Sequence, residues 1–427
     1  MDHPPVVVAG ARCAFEREPL STPLGFKGGV QTDLWQTVVA LRDTEGRLGV
    51  GLCTQGVLWS DREVFMRHGS DKGNELMFAV LEDSARRAAG IPFSRPGELL
   101  DAVLPGAIEK ARAVTGLPGI RLTFVLNALV ALDNAAWQLH ARSHATSRLD
   151  NILTVEERDL LGPLATRLTI IPLIGYAIPP DRIRGLVTGG HRLLKSKIGS
   201  DPDNDGDPEK MVRWDMRRIE EIHNAVGGDN VLYYLDANGR YDSPDRLKRL
   251  LGRCRDIGVF DRIVLLEEPY PEELEVHVGD LGVRVAADES AHSDAEVRRR
   301  IALGYGAIAL KPAAKTLSIT LRMLAAASAA KVPCFVADLT VSPILVDWNK
   351  AVAARLPALP GLDAPAFETN GSQYYANWAT MQSYHPKAGA SWTEVHHGGF
   401  DLDAIYHEMT GGIFQPPGHY RRLAEGE

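Results

Sequence analysis

The sequence predicts an α/β fold: a modified TIM-type (β/α) barrel over residues 164–371, preceded by an N-terminal α+β capping domain, 1–163, which the C-terminal tail, 372–427, rejoins. Three observations predict it. After about Leu164, short apolar runs alternate with amphipathic stretches, the signature of a parallel sheet with crossover helices. Before that point strands come first and helices after, without alternation, as in an α+β unit. Finally, five successive apolar runs close on charged residues, Lys197, Asp236, Glu267, Asp288 and Lys311, at steps of 39, 31, 21 and 23 residues. A barrel of ~250 residues gives about 30 per strand–helix unit.

Within 6–61, strands are expected at Val6-Val7-Val8, at 35–42 and at 49–54, separated by turns rich in glycine or containing proline. From 74 to 137 apolar residues recur at three and four spacing, as in Met77, Phe78, Val80 and Leu81 and again over 124–137, which predicts helices. Eight barrel strands are expected at 169–174, 192–197, 231–236, 262–267, 283–288, 307–311, 334–338 and 364–368. Helices fit the gaps, most clearly at 211–225, 244–257, 294–303 and 317–330. From Gly371 the repeat stops, and the tail is expected to pack back on the first domain.

At 427 residues the chain can build a large barrel and a smaller unit beside it. A net charge of -8 disfavours a polyanionic partner, so no nucleic acid is expected. Arg298-Arg299-Arg300 and Arg217-Arg218 read as solvated helix faces. The four cysteines, Cys13, Cys53, Cys254 and Cys334, show no CxxC spacing for zinc or redox work and fit a reducing cytoplasm. Met1-Asp2-His3-Pro4-Pro5 has no basic segment leading into an apolar one, so no secretory signal is expected. The apolar stretches at 168–179 and around Phe335 are too short or too interrupted to span a bilayer, and no membrane partner is expected.

In barrels of this kind active sites form at the carboxyl ends of the strands. Three carboxylates meeting at one point stay ionised only beside a cation, because like charges push pKa values up. An all-oxygen donor set selects Mg²⁺. Lysines on strands either side of the ion suit proton transfer at a carbon next to a substrate carboxylate. Lys195 and Lys197 share one side of their strand, since side chains alternate with period two. A second cation two residues away lowers the pKa of a lysine base, with Lys197 expected nearer the metal and Lys195 tuning it or touching the substrate.

Lys195-x-Lys197, Asp236-x-Asn238, Glu267-Glu268-Pro269, Ala287-Asp288-Glu289-Ser290 and the lysine ending the sixth strand together resemble the enolase superfamily. The resemblance is to its mandelate racemase/muconate-lactonizing and dipeptide-epimerase-like branch, and it covers most of the chain. It implies that Asp236, Glu267 and Asp288 are metal ligands and that Lys197 and Lys311 are acid/base catalysts on opposite faces of a small-molecule carboxylate. Alternation along a strand allows one ligand from each of the pairs Glu267/Glu268 and Asp288/Glu289; the family pattern favours the first. Asn238 would then lie beside the metal, and cap loops near 20–29 and 55–59 would close over the substrate. A homo-oligomer is the expected assembly.

The implied reaction is Mg²⁺-dependent racemisation or epimerisation of a small carboxylic acid or amino-acid derivative by two lysines. Acid-sugar dehydration by β-elimination and cycloisomerisation are alternatives on the same scaffold. A Schiff-base aldolase barrel using Lys311 is a remoter one, and a barrel kept only for binding or assembly is disfavoured. Two departures bear on substrate: Phe367-Glu368-Thr369-Asn370 stands where dipeptide epimerases have Asp-x-Asp, and Pro312-Ala313-Ala314-Lys315-Thr316 lacks the Gly-Gly turn of that branch. Glu368 is a possible substitute partner for an ammonium group. No His-Asp pair suggests a histidine base. Lys315 reads as a surface lysine, the 201–206 acidic run as a polar loop, His396-His397 as structural, and Gly28-Gly29 as a turn.

Overall fold

The computed structural model describes residues 4–26, 29–227 and 231–427. The chain begins with an antiparallel sheet in which Leu48–Gln55, Gly29–Asp43, Val6–Phe26 and the short Pro92–Phe93 lie side by side in that order. The turn between Asp43 and Leu48 closes because the Asp43 carboxylate accepts the amides of Glu45 and Arg47, and Gly46 takes φ 80° there. Residues 20–26, expected as a loop, continue the first strand, and the expected Gly28-Gly29 turn falls partly outside the described residues.

Three helices cover this sheet: Arg62–Arg87, Pro96–Thr115 and Leu122–Ser143. Asp61 caps the first by accepting the amides of Glu63 and Val64. Leu122–Ser143 is long and apolar enough to cross a membrane by length and composition, yet 94% of its most apolar window is buried within the fold. It presses on the third strand so closely that Gly49 and Gly51 have no room for a side chain.

All eight expected barrel strands are present: Arg167–Ile171 continued as Leu173–Ile174, then Leu193–Lys197, Leu232–Asp236, Ile263–Glu267, Val285–Ala287, Ala307–Leu310, Cys334–Val336 and Ala366–Glu368. They pair in parallel in chain order. The ring closes through the first strand, whose first half pairs with the eighth and whose second half pairs with the second strand. Pro172 separates the halves: it has no amide to donate, and its carbonyl accepts from Lys195 at 3.2 Å. Helices follow as Pro180–Thr188, Pro208–Val226, Pro244–Asp256, Asp294–Ala302, Leu317–Ala329 and Pro343–Ala353. Between the fourth and fifth strands, where Pro269 and Pro271 interrupt the chain, no helix forms among the described residues.

Inside the ring Ile171, Leu193, Tyr234, Leu265, Ala286, Ala307, Ala309, Phe335, Ala337 and Ala366 make one buried cluster. Alanines on three strands leave room for Tyr234 and Phe335, whose rings meet edge to face at 5.6 Å. The tail returns to the cap: Ala376 donates to Pro19 O at 3.0 Å, Gln36 donates to the Tyr375 hydroxyl at 2.9 Å, and Arg42 pairs with Glu425. Before that, Gly399–Asp401 pairs antiparallel with the first barrel strand and covers its lower edge.

Candidate active site

Period two along each strand puts the charges in place. Leu193, Tyr234, Leu265, Ala286 and Ala309 point into the barrel; two residues on come Lys195, Asp236 and Glu267 within their strands, and Asp288 and Lys311 one residue past the ends of theirs. Lys197 follows Lys195 by one more step, and Glu368 follows Ala366. The charged groups therefore form a layer immediately above the apolar filling, at the carboxyl ends of the strands.

The contacts within this layer are close. Lys195 Nζ lies 3.0 Å from Asp236 Oδ2, 2.7 Å from Glu267 Oε2 and 3.1 Å from Glu368 Oε2, with 3% of its side chain exposed. Lys197 Nζ reaches Asp236 Oδ2 at 2.5 Å and donates to Asn238 Oδ1 at 2.6 Å; at 16% it is the more accessible of the two. Lys195 thus touches two of the three expected metal ligands and Lys197 one. On the sixth strand Lys311 Nζ lies 2.5 Å from Asp288 Oδ2 and 4.8 Å from the centroid of Trp59, which the cap supplies from its short helix Val57–Ser60. Strands two and six are four apart in a ring of eight, so the lysines face one another across the mouth.

Burial alone would discharge these groups; their neighbours decide otherwise. Burial opposes the Lys195 charge, but Asp236, Glu267 and Glu368 outweigh it and hold the ammonium well above its ordinary range. Lys311 is likewise pulled down by burial and raised on balance by Asp288, Glu289 and Glu267. Burial would also raise Asp236 and Asp288; Lys195 and Lys197 hold the first carboxyl low, and Lys311 and Lys315 the second. Glu267 goes the other way: burial, then the charge of Asp236, pushes it well above the carboxylate range. Its Oε2 accepts from the Tyr234 hydroxyl at 2.5 Å, while Oε1 is buried and accepts no hydrogen bond.

Glu267 is also one of three acids grouped so that they could hold a hard cation. Among the described residues, carboxylate oxygens of Glu267, Asp288 and Glu289 lie within 4.8 Å of one another, and all three residues are buried. Glu289 was expected to face away from Asp288. The strand ends at Ala287, so alternation no longer applies to the pair, and both acids turn to the same centre. Asn238, at φ 44°, donates from Nδ2 to Glu289 Oε1 at 2.9 Å. Glu268, at φ 39°, leaves its strand and turns aside; its Oε2 accepts from Asp288 N at 2.8 Å and from Ser290 N at 3.2 Å. Burial and Glu289 push its carboxyl up to about 7.

Lys315 is a correction. Instead of lying on the surface it is fully buried and reaches back under the fifth strand, donating to Asp288 O at 2.7 Å, Ala291 O at 2.8 Å and Asp288 Oδ1 at 3.1 Å. The reason is the tight turn at Pro312–Lys315, which brings Lys315 N onto Lys311 O at 2.8 Å and folds the side chain inward. Tyr234 was also missed, although it precedes Asp236 by two on the same face, a signal period two could have supplied. Asp338, beyond the seventh strand, is another: burial and the neighbouring Glu368 push it up to about 7. The remaining candidates lie apart from the centre. Asp201 accepts the amides of Asp205 and Gly206, and Lys210 pairs with Asp203 and Asp205, so the acidic loop is closed by its own residues. His396 and His397 form a hairpin whose carbonyls Arg167 binds.

Residues 181–376 match the family described as Enolase C-terminal domain-like. In fold the chain is similar to a mandelate racemase/muconate lactonizing protein from Herpetosiphon aurantiacus, at TM-score 0.65 and 19% identity over 94% of this chain and 97% of that one. It is also similar to a dipeptide epimerase from Enterococcus faecalis V583 complexed with Mg and L-Leu-L-Tyr, at TM-score 0.66 and 16% identity over 93% and 97%. The L-Ala-D/L-Glu epimerase from Bacillus subtilis follows at TM-score 0.62 and 17% identity over 87% and 92%. No curated protein sequence is a match. Residues 181–376 thus resemble an enolase C-terminal domain-like unit, and the chain as a whole shares the fold of these solved structures.

Proposed function

We propose that the protein is an isomerase that removes and returns the proton next to a carboxylate on a small organic acid or amino-acid derivative, in a Mg²⁺-dependent racemisation or epimerisation. The observation that carries the reading is the opposition of Lys195 and Lys197 on strand two to Lys311 on strand six, across buried carboxylates from strands three, four and five.

Asp236, Glu267 and Asp288 would hold the ion, with Glu289 beside them; bound there, Mg²⁺ supplies the positive charge that stabilises negative charge developing on the substrate carboxylate. The chain's own groups do the rest. Lys197 Nζ, the more accessible of the strand-two amines, takes the proton from one face, and Lys311 Nζ delivers one to the other. Lys195, sunk among Asp236, Glu267 and Glu368, stays protonated and offers its charge to the substrate. Trp59, over Lys311, would shield it from water. We also assign the cap, 1–163 with 372–427, to substrate enclosure and the barrel, 164–371, to chemistry.

The test is incubation of the protein and Mg²⁺ with dipeptides, N-acyl amino acids and sugar acids in heavy water. Deuterium at the carbon next to the carboxylate, in both stereoisomers, is the expected result, abolished by chelation and restored by Mg²⁺. A keto product would move the assignment to β-elimination, and exchange that survives chelation would sink the metal-dependent reading.

A further inference from the structure

Lys315 has no part in the proton transfers just described, yet it is among the most completely buried side chains of the molecule. Its three hydrogen bonds all go to the loop that follows the fifth strand, two to Asp288 and one to the carbonyl of Ala291. The Asp288 carboxylate is thereby divided: Oδ1 takes Lys315 from behind, and Oδ2 is turned to Lys311 and the mouth. Lys315 itself is held by a turn with little freedom. Ala314 N and Lys315 N both donate to Lys311 O, at 2.9 and 2.8 Å, and Ala313 N donates to Asn349 Oδ1 at 3.0 Å.

The next residue shows what this placement costs. Thr316 stands at φ 70° and ψ 151°, a region open to glycine and disfavoured for a β-branched side chain. It is kept there by its neighbours: Oγ1 accepts Ile319 N at 3.1 Å, and its carbonyl accepts Thr320 N and Oγ1 at 3.1 and 2.7 Å. Backbone strain of this kind persists where surrounding structure over-determines it, and it clusters at functional sites.

We propose that Lys315 is a positioning residue: from the strained 311–316 turn it fixes the orientation of the Asp288 carboxylate, so that one oxygen is committed to the metal centre. The inference rests on the Mg²⁺ reading of that centre. Groups that orient a metal ligand typically change metal affinity by ~10–100-fold when removed. A lysine acting merely as a nearby positive charge would do the reverse, since its removal relieves repulsion of the cation.

The test is calorimetric titration of Mg²⁺ into the full chain and into Lys315→Met, with thermal unfolding of both in chelator. The expected result is saturable binding by wild type and affinity ~10-fold or more weaker in Lys315→Met. Equal or tighter binding by Lys315→Met, with wild-type binding intact, overturns this inference alone. Wild type that takes up no Mg²⁺ overturns the reading of the centre and this inference with it. If Lys315→Met does not fold, Lys315→Gln keeps a donor for the two carbonyls without the charge; it too must bind at least ~10-fold more weakly, and wild-type affinity in it overturns the proposal.

Discussion

At the scale of single residues, the arrangement separates one deeply enclosed amine from two that lie nearer the mouth. Lys195 is enclosed by three acids, whereas Lys197 meets Asp236 and Lys311 meets Asp288 near the mouth. Lys197→Ala and Lys311→Ala should each keep the wild-type circular dichroism spectrum and lose ~10²–10⁴-fold in the rate of deuterium incorporation. Wild-type exchange in either variant would remove that lysine from the mechanism. These residues were legible in the sequence because each ends an apolar run, where an unsolicited charge is costly. Lys315 was not: it follows its strand by a turn, and its inward direction depends on how residues 311–316 fold.

At the scale of elements, the strand Leu48–Gln55 and the helix Leu122–Ser143 pack closely in the cap. A Cβ on Gly51 would stand 1.9 Å from Ala131 O and 2.4 Å from Ala135 N, and one on Gly49 would stand 2.2 Å from Ala135 O. These are backbone atoms of a buried helix and cannot swing away. Gly51→Ala should therefore lower unfolding free energy by about 3 kcal/mol, read from the urea midpoint. Gly10→Ala, which meets nothing within 4 Å on the first strand, should lie within ~0.5 kcal/mol of wild type. Equal effects would refute the close approach. Element existence was readable from periodicity across the barrel, while the missing helix after the fourth strand was signalled only by Pro269 and Pro271.

At the scale of the whole molecule, cap and barrel are joined by buried hydrogen bonds. Asp133 of the helix Leu122–Ser143 accepts Ser318 Oγ at 2.5 Å and Ser318 N at 3.1 Å from the barrel, and Trp137 Nε1 donates to the same hydroxyl at 3.1 Å. Burial pushes the Asp133 carboxyl up to about 6 in spite of those bonds. The native state then holds a proton there that the unfolded chain, at about 3.9, has released. This stabilises the fold fully below about pH 4 and is lost as pH rises through about 6, a change on the order of 3 kcal/mol. Replacing the group by a neutral one, Asp133→Asn, should flatten the fall of stability between pH 4 and 6 relative to wild type. An unchanged slope in denaturant unfolding would show that Asp133 does not carry it.

The sequence by itself determined the class of the fold and the sites of charge. The two-residue period of a strand and the roughly thirty-residue repeat of a strand–helix unit are local properties, and together they put Lys195, Lys197, Asp236, Glu267, Asp288 and Lys311 at one end of one barrel. Tertiary structure alone decided what happens where those periods stop. Asp288 and Glu289 turn to the same centre because the strand has ended, Glu268 leaves it at φ 39°, Lys315 folds beneath it, and Trp59 arrives from more than two hundred residues before Lys311. Past the last ladder hydrogen bond, side-chain direction is set by contacts between distant segments, and no short-range pattern encodes it.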